Sequence, residues 1–312
     1  MPETKILITG SKGLIGSALK RQLCALNFQV AGIDNAYATN HLEYGDLQDI
    51  QLLKNLVSKC SGIVHLAGVS RVITGEKNPE LCWSINVDCT SKLLELVQNS
   101  PKKPWVIYAS SREVYGQQKQ LPVREDAPLL PLNVYARSKA AAEEVVLDYR
   151  KKGIQVAIIR FSNVYGSTDD HFDRVIPAFC KIAACGGTIR IDGDHNTFDF
   201  TYIDDVIAGI IKIIGKLQDG CCEFPTLHLT SGQGTTLLQA ATLAKTVSEQ
   251  PIKFLHTPSR SFDVGTFWGE PFLANLILDW RTKVSIQEGI ARLVKDFKRE
   301  MIHYNSLSSG NI

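Results

Sequence analysis

The chain has no long hydrophobic run, no excess of either charge and no paired-cysteine spacing. Lys and Arg number 34 against 32 Asp and Glu in 312 residues, a net charge of +2. No basic arm or run is present, so nothing electrostatic points to nucleic acid or an anionic membrane as partner. No stretch approaches the roughly 20 apolar residues of a membrane-spanning helix. The N-terminal MPETKILITG lacks the apolar core and cleavage site of a secretory signal, which makes the cytoplasm the expected compartment. The eight cysteines (Cys24, Cys60, Cys82, Cys89, Cys180, Cys185, Cys221 and Cys222) form no C-x-x-C and no zinc-like spacing with histidine. No metal is expected, and the thiols read as buried and reduced, with the vicinal Cys221-Cys222 pair at a loop-to-strand junction.

What is present is ordinary globular material, 44% hydrophobic and 21% charged. Short apolar runs alternate with amphipathic stretches through the first half. KILIT (Lys5 to Thr9), QVAGI (Gln29 to Ile33), IVHL (Ile63 to Leu66), WVIYA (Trp105 to Ala109) and QVAIIR (Gln155 to Arg160) read as strands. Leu14 to Leu26, Leu47 to Ser58, Glu80 to Gln98 and the segment after Asn133 read as helices. Near-continuous apolar strands separated by helices predict a parallel sheet covered on both faces, a doubly wound Rossmann-type α/β fold. After about Arg160 the rhythm loosens into a smaller C-terminal lobe. The expected division is 1–165 with a helical return segment at about 200–218, then 166–312 as the substrate-binding lobe with interleaved segments. A last helix is expected over Ser285 to Met301, before a disordered polar tail, NSLSSGNI.

Gly10, Gly13 and Gly16 in ITGSKGLIG lie directly after the first strand and at the start of a helix. Glycine there permits a tight turn and lets backbone amides approach a pyrophosphate at the helix N-terminus. A glycine triplet alone is uninformative; strand, loop, helix and second strand in order supply the required context. Asp34 ends the second strand, where a carboxylate can take the ribose hydroxyls and repel a 2'-phosphate, favouring NAD over NADP. Asp46 could reach the adenine or cap the helix after it. Tyr135 and Lys139 are four residues apart, one helical turn, so both face one way. An ammonium beside a phenol favours the phenolate, which predicts a lowered tyrosine pKa and a base near neutral pH.

Taken in order, these motifs resemble the extended short-chain dehydrogenase/reductase family, the nucleotide-sugar epimerases and dehydratases. TGSKGLIG, HLAG (His65 to Gly68), YASSREVYG (Tyr108 to Gly116), Y-x-x-x-K, RFSNVYG (Arg160 to Gly166) and DFTYIDDV (Asp199 to Val206) carry the resemblance. It implies an enzyme with tightly bound, regenerated NAD, acting on a nucleotide-diphosphate sugar through a transient keto-sugar. A nucleotide-sugar decarboxylase and an NAD(P)H-dependent ketosugar reductase are the alternatives, and a non-catalytic dinucleotide sensor ranks last. Ser111, Glu113, Tyr135 and Lys139 are implied as catalytic, with Glu113 at a place used by dehydratases and decarboxylases and Arg112 departing from the dehydratase Asp-Glu pair. Besides the three glycines, Asp34 and Asp46, the implied NAD contacts are Lys12, Leu14, Ile15, Asn35, Leu47, Leu66, Ala67, Gly68, Tyr135 and Lys139. Ser110, Ser111, Asn163 and Arg260 are implied for substrate. Phe198 stands where the family commonly has an arginine on the diphosphate, so that contact would shift to Arg190, Arg260 or another group, His195 being a further candidate. A homodimer through a four-helix bundle of residues 80–98 and 134–151 is also implied.

Overall fold

A computed structural model describes residues 5–221, 223–259 and 264–308, with side chains to 302. In chain order the elements are β1 (Lys5–Thr9), α1 (Leu14–Ala25), β2 (Gln29–Ile33), α2 (Ile50–Lys59), β3 (Gly62–His65), α3 (Val72–Lys77), α4 (Pro79–Trp83), α5 (Cys89–Asn99), β4 (Trp105–Ser111), α6 (Val134–Lys151), β5 (Val156–Phe161) and β6 (Asn163–Tyr165). There follow α7 (Val175–Cys185), β7 (Gly187–Asp192), β8 (Thr197–Tyr202), α8 (Ile203–Gln218), β9 (Leu227–Leu229), β10 (Gly234–Thr236), α9 (Leu237–Thr246), β11 (Ile252–Thr257), β12 (Thr266–Phe267), α10 (Phe272–Leu278) and α11 (Ile286–Ser308).

The expected parallel sheet is present, six strands in the order β2-β1-β3-β4-β5-β9. Its faces separate by the two-residue strand period. Ile107 and Ala109 join Ile6, Ile8 and Ile159 in a core closed by α1, α8 and α11. Val106 and Tyr108 join Leu7, Ile63 and Ile158 in a second core, closed by α2, α5 and α6. Both faces being covered is why these strands read as unbroken apolar runs. Truncating Ile107, fully buried, to Ala would cost about 2–5 kcal/mol. The lobe adds β10-β8-β12, with β6 alongside β8, and the pair β11-β7. The α8 return segment packs against α1, and its isoleucines share the first core.

Several expectations shift. Helix α2 starts at Ile50 and is capped by Asp49, whose Oδ1 accepts from the Leu52 amide at 2.9 Å, not by Asp46. Asp46 instead closes a local turn onto the Gln48 amide at 2.8 Å. The helix expected over 80–98 is broken by a π-turn at Ser84–Asp88 between α4 and α5. Helix α11 runs to Ser308, four residues into the stretch expected to be disordered. Cys60, Cys82, Cys89 and Cys180 are buried, but Cys24 and Cys185 are exposed and Cys221 is half-buried; Cys222 lies outside the described residues. No helix among the described residues is long and apolar enough to cross a membrane.

Candidate active site

The strand register brings Thr9 level with His65, His65 with Tyr108 and Ser111 with Phe161, so the carboxyl ends form one rim. A cavity of about 990 Å³ opens there and continues into the lobe. It lies where β1 is flanked by β2 and β3, the switch point at which doubly wound sheets bind ligands. Every site residue expected from sequence lines it except the further candidate His195 and Arg260, the latter lying outside the described residues.

The glycine loop fits a dinucleotide. Gly10 has φ +72°, and a Cβ on Gly16 would sit 2.1 Å from the Gly10 carbonyl oxygen, so neither position accepts a side chain. A Cβ on Gly13 would meet nothing but that carbonyl, at 3.4 Å. Helix α1 has no side-chain cap and no acid in its first turn, so its N-terminal amides face the cavity as an anion site. Asp34 accepts the Lys12 amide at 3.0 Å and the Ala36 amide at 2.9 Å, which holds its carboxylate at the cavity edge. The Lys12 ammonium is fixed on the Ala36 carbonyl, 2.5 Å away.

The turn Leu66–Gly68 is held by a buried relay. The Thr90 hydroxyl donates to the Asn86 carbonyl at 2.7 Å, leaving its oxygen to accept from His65 Nε2 at 3.0 Å. His65 Nδ1 then accepts from the Thr9 hydroxyl at 2.7 Å, and that oxygen takes the Ala67 amide at 3.2 Å. Full burial pushes His65 down to about 3, so the ring stays neutral. Asn86, on the π-turn, clamps the same loop: it accepts the Val69 amide at 2.8 Å and donates to the Val69 carbonyl and the Ser138 hydroxyl.

Tyr135 and Lys139 lie in the first turns of α6, whose N-cap Asn133 accepts the Ala136 amide at 2.8 Å. The expected lowering of the phenol is not what the site produces. Burial pushes Tyr135 up to about 12, against a smaller lowering by its hydrogen bond with Ser111. Lys139 is itself pushed down to about 8 by burial and donates to the Ala109 carbonyl at 2.9 Å. Desolvation of the enclosed phenolate outweighs the lowering by Ser111 and Arg174.

Ser111 Oγ accepts the Glu113 amide at 3.2 Å at the head of a 3₁₀ turn over Arg112–Tyr115. Glu113 is buried: Oε1 pairs with Arg112 Nη2 at 2.8 Å and Oε2 accepts from Asn133 Nδ2 at 3.2 Å. Ser110 lines the cavity with its hydroxyl donating to the buried Glu143. Glu143 in turn holds Arg160, which reaches Tyr115 Oη at 2.6 Å, and Tyr115 bonds His228. Asn163 Nδ2 is shielded from solvent with no partner among the described residues. Arg190 lines the cavity while paired with Asp192; His195 does not line it.

Sequence reasoning passed over Asn86, Asn133, Glu143 and the placement of Arg112. Asn133 had a readable signal, since Asn before a helical run is an N-cap. The others act through tertiary contact and had none. A family model described as "NAD dependent epimerase/dehydratase family" matches residues 6–222. Among curated proteins, the putative UDP-glucose 4-epimerase of Methanocaldococcus jannaschii is 28% identical, covering 94% of this chain and 98% of that protein. A UDP-glucose 4-epimerase of Cyamopsis tetragonoloba is 28% identical over 91% of each. Among solved structures, the Thermotoga maritima UDP-glucose 4-epimerase with UDP-glucose superposes at TM-score 0.86 and 23% identity, covering 96% of this chain and all of that one. With the glycine loop, the Ser-Tyr-Lys set and a match over two thirds of its length, the chain belongs to the NAD-dependent epimerase/dehydratase family.

Proposed function

We propose that the chain is an NAD-dependent nucleotide-sugar 4-epimerase that oxidises a sugar hydroxyl transiently and returns the hydride to the opposite face. The observation that carries this reading is that Ser111, Tyr135 and Lys139 line the same cavity as the glycine loop. Curated relatives named UDP-glucose 4-epimerase support UDP as the nucleotide.

Residues 1–165 and the return segment at about 200–218 serve as the cofactor unit, and 166–312 as the substrate lobe. The α1 amides would take the pyrophosphate, Asp34 the adenosine ribose, and Lys139 the nicotinamide ribose. When bound, NAD supplies a hydride acceptor and donor. Tyr135 Oη removes the sugar hydroxyl proton and later returns it, Ser111 Oγ holds that oxygen in place, and the buried walls exclude water. A burial-raised phenol needs a further positive charge nearby, so proton removal is coupled to cofactor occupancy. Glu113 has both oxygens committed, to Arg112 and Asn133. That favours epimerisation over elimination of water, which needs a free acid or base. Homodimer formation is part of the reading, supported by the exposure of Leu81 and Trp83 on α4, as is a cytoplasmic location.

The test is incubation of the holoenzyme with UDP-, GDP-, CDP- and dTDP-sugars, read by mass and NMR. An epimer of unchanged mass, with no net NADH, is expected. A dehydrated product, or stoichiometric NADH consumption, would replace this reading with a lyase or reductase.

A further inference from the structure

Arg112 is the buried cation that the proposed reaction leaves unused. It belongs to the cavity wall and lies between Ser111 and Glu113. Its guanidinium packs on two aromatic rings, 4.7 Å from the Phe198 centroid and 5.5 Å from that of Phe267. A guanidinium donates its hydrogen bonds from the edge of its plane, while its faces pack on aromatic rings. On that edge Nη2 takes Glu113 Oε1, but Nη1 is buried with no acceptor among the described residues. Glu113 is satisfied at both oxygens; the arginine is the member of the pair left short of a partner.

The other cations of the cavity are engaged differently. Arg71 pairs with Asp173, Arg174 with Asp170 and Arg190 with Asp192, each of these arginines being substantially more exposed than Arg112. Lys139 gives one donor to a backbone carbonyl and is already assigned to the nicotinamide ribose. Arg112 is therefore the buried, rigidly held guanidinium with spare donor capacity, and a planar carboxylate is the ligand that matches its edge.

Position decides which anion. Ser111, its chain neighbour, hydrogen-bonds the proposed base Tyr135. In a pyranose oxidised at C4, the flanking carbons are C3, which bears a hydroxyl, and C5, which bears the exocyclic C6, while the diphosphate hangs from C1 across the ring. An anion recognised beside Ser111 is thus a substituent of C5.

Building on the epimerase reading, we propose that Arg112 recognises a carboxylate on C5, so that the preferred substrates are nucleotide-linked hexuronic acids rather than neutral hexoses. Glu113 and the two phenylalanines then act as positioning residues that fix the guanidinium plane.

The experiment compares UDP-glucuronate and UDP-galacturonate with UDP-glucose and UDP-galactose on the NAD-loaded protein, for wild type, Arg112→Gln and Arg112→Lys. Wild-type kcat/KM should favour the acids by about 100-fold, the size of a charge-assisted hydrogen bond gained by one substrate alone. Arg112→Gln should bring the ratio near unity with UDP affinity and NAD content unchanged, and Arg112→Lys should keep part of the preference. Equal or better turnover of the neutral sugars by wild type would overturn the proposal while leaving the epimerase reading intact. So would an Arg112→Gln variant that loses UDP affinity and all substrates alike, which would place Arg112 on the diphosphate. If the Gln variant does not fold, the Lys variant's ratio decides: an undiminished preference for acids with the planar guanidinium edge replaced by a point charge would also count against it. No turnover of any nucleotide sugar would sink the epimerase reading itself.

Discussion

Tyr135 shows how far a four-residue spacing can be taken. The spacing placed both side chains on one helix face, and α6 does so. The sign of the pKa shift was not legible, because it depends on how completely the surrounding chain excludes water. In NAD-free protein the Tyr135 phenolate should form near pH 12 rather than 10, measured as the absorbance difference between wild type and Tyr135→Phe. A step at or below pH 10 would show that burial does not govern the phenol. On the holoenzyme, Tyr135→Phe should lower kcat by about 10³-fold or more with NAD retained, since one proton-transferring hydroxyl is lost. Glu113 is a second lesson at this scale: its identity suggested chemistry, but its two hydrogen bonds were set by Arg112 and Asn133, one of them twenty residues away.

At the level of elements, the glycine loop was legible because its demands are local. A Cβ at Gly16 meets backbone, which cannot rotate aside, so Gly16→Ala should weaken NAD binding by about 100-fold or more, some 2.7 kcal/mol. NAD content after purification and titration with fresh cofactor would measure it; normal retention would remove the loop from the binding site. The network beneath the 3₁₀ turn was not legible, since Arg160, Glu143, Tyr115 and His228 come from four separate segments. Arg160→Met would leave the Glu143 charge buried without its partner, at a cost of about 3–5 kcal/mol by urea unfolding. A change under about 1 kcal/mol would mean that Glu143 is neutralised without difficulty.

For the molecule as a whole, the strand and helix order of the first half was readable because parallel strands buried on both faces carry their signal in composition. The second half was less so: β6, β9, β10 and β12 have two or three residues each and take their shape from partners distant in sequence. Stability of the whole should respond to acid through the buried histidines. His65 and His228 are both pushed down to about 3, chiefly by burial. Between about 3 and the unfolded value of 6.5 the unfolded chain binds protons that the folded rings refuse, so stability is full above 6.5 and falls as pH drops. Each histidine contributes up to about 1.4 kcal/mol per pH unit in that window. Urea unfolding at several pH values should give a shallower acid slope for His228→Gln than for wild type; parallel slopes would mean that His228 takes up its proton while folded.

The π-turn at Ser84–Asp88 amounts to one spare residue carried inside an otherwise continuous helix. Deleting it would let α4 and α5 run on as regular α-helix, with better-formed hydrogen bonds, while swinging Asn86 about 100° from Val69 and Ser138. The shortened helix would be the more regular one and the cofactor loop the looser one. Length variation at this point is therefore constrained by ligand binding rather than by the helix that contains it.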